Sequence, residues 1–306
     1  MKNNQKKVTV MVSTYNGEKY IKEQLDSIIN QSYKNIDIYV RDDGSKDNTL
    51  NILKEYSKQK KIILLESNKN LGYPEAFYEI MRNVKKSDYY AFSDQDDVWY
   101  EDKIEKGVKA LEESDSTKPA LFFANYDVCD MDLNHIRTSV GPKKAPGFRY
   151  SLFSSIGLGF TFILNHEALK LISLNRSKKT VTKDVWIGML CTAFGKVYFD
   201  KTPCANHRRN PGAFSAQDTT FMRTQKDRFK KFFKNDGFKN VYNVMSEFYE
   251  MFGDRLSTKD KKTMELFLYK GYNPIKYFRK VFYPHRLRYD FKDELMLRMV
   301  FIMRKL

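Results

Sequence analysis

Over the first hundred residues the apolar positions switch between two periods. Val8-Thr9-Val10-Met11-Val12 is a short β-branched run and predicts a strand. From Glu18 to Gln31, Ile21, Leu25, Ile28 and Ile29 fall on one helical face. Ile36-Asp37-Ile38-Tyr39-Val40 alternates as a second strand, and Asp47-Asn48-Thr49 opens a helix that Leu50, Leu53 and Tyr56 continue. Ile62 to Leu65 predicts a third strand, Pro74 to Val84 a helix, and Tyr89 to Phe92 a fourth strand. Such alternation predicts an α/β fold with a mostly parallel, doubly wound sheet. Right-handed crossovers gather the carboxyl ends of its strands on one edge, where ligands of open α/β sheets bind.

Beyond Leu121 the pattern is mixed. Leu121-Phe122-Phe123 and Phe160 to Leu164 predict strands, Lys143 to Gly147 a loop, Asp184 to Phe194 a helix, and Lys196 to Phe199 another strand. From Thr219 onward the periodicity is mostly helical and rich in Phe, Tyr, Lys and Arg, with no repeat and no low-complexity tract.

Four polar clusters follow the first four strands: Ser13 to Gly17, Arg41 to Ser45, Ser67 to Gly72, and Ser93 to Trp99. Any one of them is ordinary turn chemistry. Four along one sheet edge point to a site. In the last, Asp94, Asp96 and Asp97 stand within four residues at the end of an apolar strand. Like charges this close raise one another's pKa, and a bound cation relieves the repulsion. Two carboxylates with water and phosphate oxygens suit Mg²⁺ or Mn²⁺. The competing reading is an acidic N-cap for a helix over Glu101 to Leu111, which suits Asp97 better than Asp94 or Asp96.

Composition narrows the class. The chain has 306 residues, 42% hydrophobic and 30% charged, as a globular protein does. Its longest near-apolar stretch, Gly157 to Leu164, is too short to span a membrane, and Val8 to Val12 is too short for a signal segment. A cytoplasmic location is therefore expected. Cys129, Cys191 and Cys204 lack CxxC spacing and are odd in number, which reads as reduced thiols. The formal net charge is +16, and residues 221–306 carry 21 Lys and Arg against 10 Asp and Glu. Nucleic acid, a phosphate-bearing substrate or acidic lipid would each answer such an excess.

The series Ser-Thr-Tyr-Asn-Gly, Arg-Asp-Asp-Gly-Ser-Lys-Asp-Asn-Thr and Phe-Ser-Asp-Gln-Asp-Asp-Val-Trp resembles the inverting family 2 of GT-A glycosyltransferases. It looks most like bacterial rhamnosyltransferases of capsule and cell-wall polysaccharide assembly. The resemblance implies a GT-A catalytic domain over 1–218, split into a nucleotide-sugar half (1–120) and an acceptor half (121–218), with a basic helical region over 219–306. It implies that Ser13 and Tyr15 line the base pocket and that Asp43 accepts from N3–H of uracil or thymine, so the donor is a UDP- or dTDP-sugar. Asp94 would contact ribose or metal, Asp96 would ligate Mn²⁺ or Mg²⁺, and Lys69 or Asn70 would reach the nucleotide. Asp184, in Thr182-Lys183-Asp184-Val185-Trp186, matches the family's catalytic base; the alternative is that it caps its helix. Trp186 is open between sugar platform and core. The family's Tyr-Arg-x-His motif is altered: His207 is shifted and Asn210 stands where the His is expected. This leaves His207 as a candidate third metal ligand and Arg208 or Arg209 as a candidate diphosphate clamp. The Gln-x-x-Arg-Trp signature of processive relatives is absent, which implies one sugar per encounter.

The resemblance thus implies transfer of rhamnose from dTDP-L-rhamnose to a saccharide or lipid-linked acceptor. Its rivals are a UDP-hexose transferase and a non-catalytic nucleotide-sugar-binding protein. Phe229 to Lys234, Tyr277 to Tyr283 and Phe291 to Leu306 interleave basic and apolar residues. That pattern fits either a helix lying on the anionic inner face of the cell membrane or packing against the catalytic domain. Nucleic acid is disfavoured, because no RNA- or DNA-binding motif accompanies the charge.

Overall fold

The computed structural model describes residues 5–67, 69–180, 182–209 and 237–304. Phe229 to Lys234, Asn210 and the 218/219 boundary lie outside them. The first half runs β1 (Val8–Thr14), α1 (Ile21–Ile29), β2 (Ile36–Asp42), α2 (Thr49–Lys58), β3 (Ile63–Leu65), α3 (Glu75–Asn83) and β4 (Tyr89–Ser93). After it come β5 (Val98–Trp99), α4 (Lys103–Glu112), β6 (Ala120–Cys129), β7 (His135–Thr138) and α5 (Phe148–Ser151). Next are β8 (Ile163–Asn165), α6 (His166–Leu174), α7 (Lys183–Phe194) and β9 (Lys196–Arg208). The chain closes with α8 (Gly237–Phe252), α9 (Thr258–Leu268), α10 (Pro274–Val281) and α11 (Phe291–Ile302).

β1 reads as a near-continuous apolar run because it is covered on both faces. Val8, Val10 and Val12 join Ile38, Val40 and Ala91 in one core, against Ile21, Leu25 and Ile28 of α1. Met11, Tyr39, Tyr90 and Phe92 point the other way, into a second core with Phe77 and Ile80 of α3. The strand order is β3-β2-β1-β4-β8-β6-β9-β5, with β7 paired to β6. The first four strands are parallel, as expected. The second half is mixed: β8 is antiparallel to both β4 and β6, while β9 runs parallel to β6 and antiparallel to β5.

Two details differ from the periodicity. The run Phe160 to Leu164 is not one strand, because Gly159–Thr161 forms a 3-10 turn and only Ile163–Asn165 pairs in the sheet. Asp97 is not a helix cap, because Val98-Trp99 pairs with Ala205 and Asn206 and α4 starts five residues later, after Asp102.

The C-terminal helices share the second core. Phe248 and Phe252 of α8 pack on Trp186 and Phe194 of α7, and Phe267 and Phe301 pack on Phe153. Of the last helix's apolar residues, Val300 and Phe301 are buried and Leu295 and Met303 are exposed. All three cysteines are free and buried.

Gly195 joins α7 to β9 at the point where β9 enters alongside β6. A Cβ there would lie 2.7 Å from the carbonyl carbon of Pro119, whose oxygen accepts from Lys196 N at 2.9 Å. Because the obstacle is backbone, it cannot turn aside. Gly195→Ala should cost roughly 1–3 kcal/mol or more, as overpacking does; a denaturation midpoint equal to wild type would show that the junction relaxes freely.

Candidate functional site

The loops after β1, β2 and β4 are knitted together by side chains. Gln95 clamps the backbone of Tyr15 from both sides: its Oε1 accepts from Tyr15 N at 2.8 Å and its Nε2 donates to Tyr15 O at 3.0 Å. A Cβ on Gly17 would meet Gln95 Cδ at 2.8 Å, so the clamp needs glycine there. Asp42 accepts from Ser45 N at 2.9 Å and from Thr14 Oγ1 at 3.1 Å. Asp43, buried, accepts from Leu71 N at 2.8 Å and Gly72 N at 2.7 Å and is paired with Arg41.

A cavity of about 630 Å³ opens over these loops. Ser13, Tyr15, Asp43, Asp94 and Asp96 line one side; Gly159, Asp184, His207 and Arg208 line the other. Of the residues expected at the site, only Lys69, Arg209 and Trp186 do not line this cavity. Lys69 is exposed and does not line the cavity; Asn70 does, and Lys69 contributes its carbonyl to Arg41 Nη2 at 2.8 Å.

Asp184 lies in the first turn of α7, but Thr182 occupies the cap position, so Asp184 is not the cap. Its Oδ2 accepts from Gly159 N at 2.9 Å and its Oδ1 lies 3.4 Å from Lys183 Nζ. Lys183 is buried, 4.0 Å from the centre of the Phe77 ring and 4.9 Å from that of Tyr73. Burial alone would lower its pKa, but Asp184, Tyr73 and Asp94 outweigh burial and raise it. A Cβ on Gly159 would come 2.8 Å from Lys183 Nζ and 3.0 Å from Asp184 Cγ. The 3-10 turn thus does work that an extended strand could not: it presents a bare N–H to the carboxylate.

His207 stands at the end of β9. Its Nδ1 is 2.6 Å from Asp97 Oδ1, and its ring stacks on Phe160 at 4.9 Å. Asp97 is completely buried and its Oδ2 has no hydrogen-bond partner among the described residues. Burial opposes protonation of His207, yet the charge and hydrogen bond of Asp97, with Asp94 and Asp96 behind it, raise its pKa. Arg208 is buried and all three guanidinium nitrogens donate: to Met131 O at 3.2 Å, to Asp96 O at 3.0 Å, and to Glu23. It holds the backbone at Asp96 in place. Trp186 is fully buried with its Nε1 bonded to Asn175 O, so it is core and not a sugar platform.

Residues 9–172, more than half of the chain, match the model for "Glycosyl transferase family 2". The chain belongs to glycosyl transferase family 2. It is 47% identical over 105 residues to a dTDP-rhamnosyl transferase, RfbG, of Shigella flexneri, covering 33% of this chain and 36% of that one. It is 30% identical over 201 residues to an uncharacterized glycosyltransferase of Rickettsia typhi, covering 63% of this chain and 61% of that one. The matches thus span between about a third and three fifths of these relatives' length. Residues 1–349 of S. aureus TarS, crystallised with UDP-GlcNAc, superpose with a TM-score of 0.58 at 15% identity, covering 98% of this chain and 91% of that one. At that identity the likeness is one of fold, the GT-A fold, and it extends through the C-terminal helices.

In this family 2 chain the metal expectation meets a mixed answer. Among the described residues no three His, Cys, Asp or Glu side chains converge as a ready-made cage. The chemistry of the donors nevertheless suits a cation. Burial first, then the charges of Asp97 and Asp94, push Asp96 up to about 7. With Asp97 holding the Nδ1 side of His207, the Nε2 lone pair is left as the available ligand, the usual arrangement for a metal-binding histidine. Asp94, Asp96 and His207 all line the cavity, and two carboxylates beside an imidazole are donor types that divalent ions take.

Gln95, Gly159 and Lys183 had no assigned role from sequence, and Asp97 was read only as a helix cap. Gln95 and Asp97 sat inside the recognised acidic motif. Nothing in spacing marked Gly159 or Lys183.

The raised Asp96 pKa has a definite stability consequence. Its folded value, about 7, lies above the ordinary aspartate value of 3.8. Its contribution is therefore fully present below about pH 4 and is lost as pH rises through about 7. Without metal, Asp96→Asn should be more stable than wild type by roughly 1–2 kcal/mol above pH 7, with the difference shrinking toward pH 4. Thermal melts across pH 4–8 in chelator read this directly. A difference that does not change with pH would mean that Asp96 ionises normally.

Proposed function

We propose that the chain transfers a single sugar from a nucleotide diphosphate sugar to a hydroxyl of a saccharide or lipid-linked acceptor, with inversion at the anomeric carbon. The observation that carries this is Asp184. Its carboxylate is fixed by Gly159 N–H and Lys183 in the cavity that Asp94 and Asp96 also line. In the reaction the acceptor oxygen bonds to the anomeric carbon as its proton passes to Asp184, and the bond from that carbon to the diphosphate oxygen breaks. One displacement with one base inverts the centre. A Mn²⁺ or Mg²⁺ held by Asp94, Asp96 and His207 supplies positive charge for the leaving diphosphate when bound. Lys183 places a fixed positive charge beside the base.

The donor we favour is dTDP-L-rhamnose, on the strength of the Shigella relative's name and the sequence motif. Asp43 is compatible with either thymine or uracil. Three of its acceptor positions are taken by Leu71, Gly72 and Arg41, which leaves one of about four for a base N3–H. A UDP-hexose is the second reading, and TarS was crystallised with UDP-GlcNAc. A non-catalytic sugar-nucleotide binder is less well supported, since it would leave the Gly159–Asp184–Lys183 arrangement without a purpose.

We also infer contact with an anionic membrane, where a lipid-linked acceptor would lie. Among the described residues no helix is long and apolar enough to cross one. α10 and the turn after it expose Ile275, Phe278 and Phe282, and α11 exposes Phe291, Leu295 and Ile302, with Arg279 and Arg286 exposed beside them. Apolar side chains ringed by cations fit the headgroup boundary of anionic lipid.

Two experiments test these readings. Calorimetry with UDP, dTDP, GDP and CDP, with and without Mn²⁺, should show metal-dependent binding of dTDP or UDP that Asp96→Ala loses. On the same samples Asp184→Asn should keep nucleotide binding while transfer falls by roughly 10²–10⁴-fold; transfer at the wild-type rate would remove Asp184 from the mechanism. Separately, the double variant Phe278→Ser, Phe282→Ser should release the chain from vesicles containing phosphatidylglycerol, with its melting temperature unchanged. Equal binding by the variant, or no binding by wild type, would place the apolar stripe elsewhere than on lipid.

A further inference from the structure

A second cavity, of about 550 Å³, opens among the C-terminal helices and shares no lining residue with the first. Its wall carries four cations, Lys239, Lys270, Lys280 and Arg304, and no carboxylate among the described residues. Four tyrosines, Tyr242, Tyr269, Tyr272 and Tyr277, supply its faces.

Two of these cations, Lys270 and Arg304, are braced on aromatic rings. Lys270 Nζ lies 3.7 Å from the centre of the Tyr242 ring, and the Arg304 guanidinium lies 4.9 Å from Tyr277 and 5.1 Å from Tyr272. Lys280 is buried and donates to Tyr269 O at 2.8 Å and Phe267 O at 3.2 Å. An ammonium has three protons to give, so one is left over. Burial, with Lys276 nearby, lowers the Lys280 pKa, as expected for a cation with no acid to meet it. Like charges gathered in a partly closed space repel, and an anion entering there relieves all four at once.

The aromatic faces narrow the anion further. Tyrosine rings present negative faces and a polar rim, which suits the C–H face and hydroxyls of a sugar ring. Asn243 and Asn273 also line the space and offer amide groups of the kind that read hydroxyls. The volume falls in the range of small-ligand sites, enough for one or two sugar units and too little for a run of stacked bases.

We propose that this cavity binds an anionic saccharide: a sugar unit carrying a phosphate or a carboxylate. Its natural source would be a glycan acceptor held away from the point of transfer. That assignment of source rests on the transferase reading; the binding itself does not.

The test uses the full chain saturated with UDP and Mn²⁺, so that the first site is filled. Calorimetric titrations with mannose 6-phosphate, digalacturonate, maltose, inorganic phosphate and a ten-residue oligothymidylate compare wild type with Lys270→Ala, Arg304→Ala. Both altered residues are exposed, so folding should survive, and UDP binding by the variant serves as the control. Mannose 6-phosphate or digalacturonate should bind wild type at one equivalent. Binding should weaken roughly tenfold or more in the variant, since each charge-assisted contact contributes about that factor. Maltose should not bind measurably. The comparison of mannose 6-phosphate with digalacturonate separates the phosphate from the carboxylate source. The proposal fails if neither anionic sugar binds, or if the variant binds them as wild type does. It also fails if inorganic phosphate binds as tightly as the sugar phosphate, or if the oligonucleotide binds more tightly than either sugar. Loss of UDP binding in wild type would instead count against the donor-site reading, because no residue is common to the two cavities.

Discussion

Carboxylates gathered where buried strands end must be compensated, and the way each one is compensated sets the geometry of this site. Asp43 is held by two backbone N–H groups and Arg41, Asp184 by one N–H and Lys183, and Asp97 by His207. Asp94 and Asp96 have no ion pair among the described residues. The uncompensated charge of the cavity is therefore concentrated on the pair that the sequence singled out, and Asp96 carries the pKa that records it. A cation and a diphosphate are complementary to what is left over. The same compensations fix the loops: the N–H groups that Asp43 engages come from the loop after β3, and Arg208, which supports the backbone of Asp96, spans from β9 to Glu23 in α1.

Much of the first half of the fold was legible because its strands are covered on both sides. β1 and β4 contain no exposed position, so their apolar runs survive any choice of register. The second half was harder for identifiable reasons. β7 is exposed along its whole length, and its single apolar residue, Ile136, gives no alternation to read. Phe160 to Leu164 is mostly apolar, but apolarity does not say whether a residue enters a strand or a tight turn; here Gly159–Thr161 forms the turn and Gly159 N donates to Asp184. Asp97 looked like a cap because acids favour helix starts; pairing of Val98-Trp99 with β9 won instead, and it delivers Asp97 to His207.

The identity of the site residues was legible in a similar way, and their partnerships were not. Motif spacing named Ser13, Asp43, Asp94, Asp96 and Asp184, and they do share one cavity. The roles of cations are fixed by contacts that spacing does not encode: Arg208 reaches Asp96 and Glu23, 112 and 185 residues away. Arg208 looked like a free clamp, yet its guanidinium is consumed by Glu23 and two carbonyls. Lys183 drew no reading from sequence, yet it is buried against aromatic rings with its charge beside the base.

The same reasoning changes what the C-terminal helices are for. Glu247 of α8 is buried and accepts from Lys178 N at 2.8 Å, Lys179 N at 3.2 Å and the hydroxyl of Ser177. Those residues form the segment that leads into α7, whose first turn bears Lys183 and Asp184. Trp186, one turn further, is wedged against Phe248 and Phe252 of the same helix. The proposed base is thus positioned from two sides, by a glycine N–H that the catalytic sheet supplies and by a helix from the basic region. A region that composition marks only as cationic and aromatic is, by these contacts, part of the frame that aims the carboxylate.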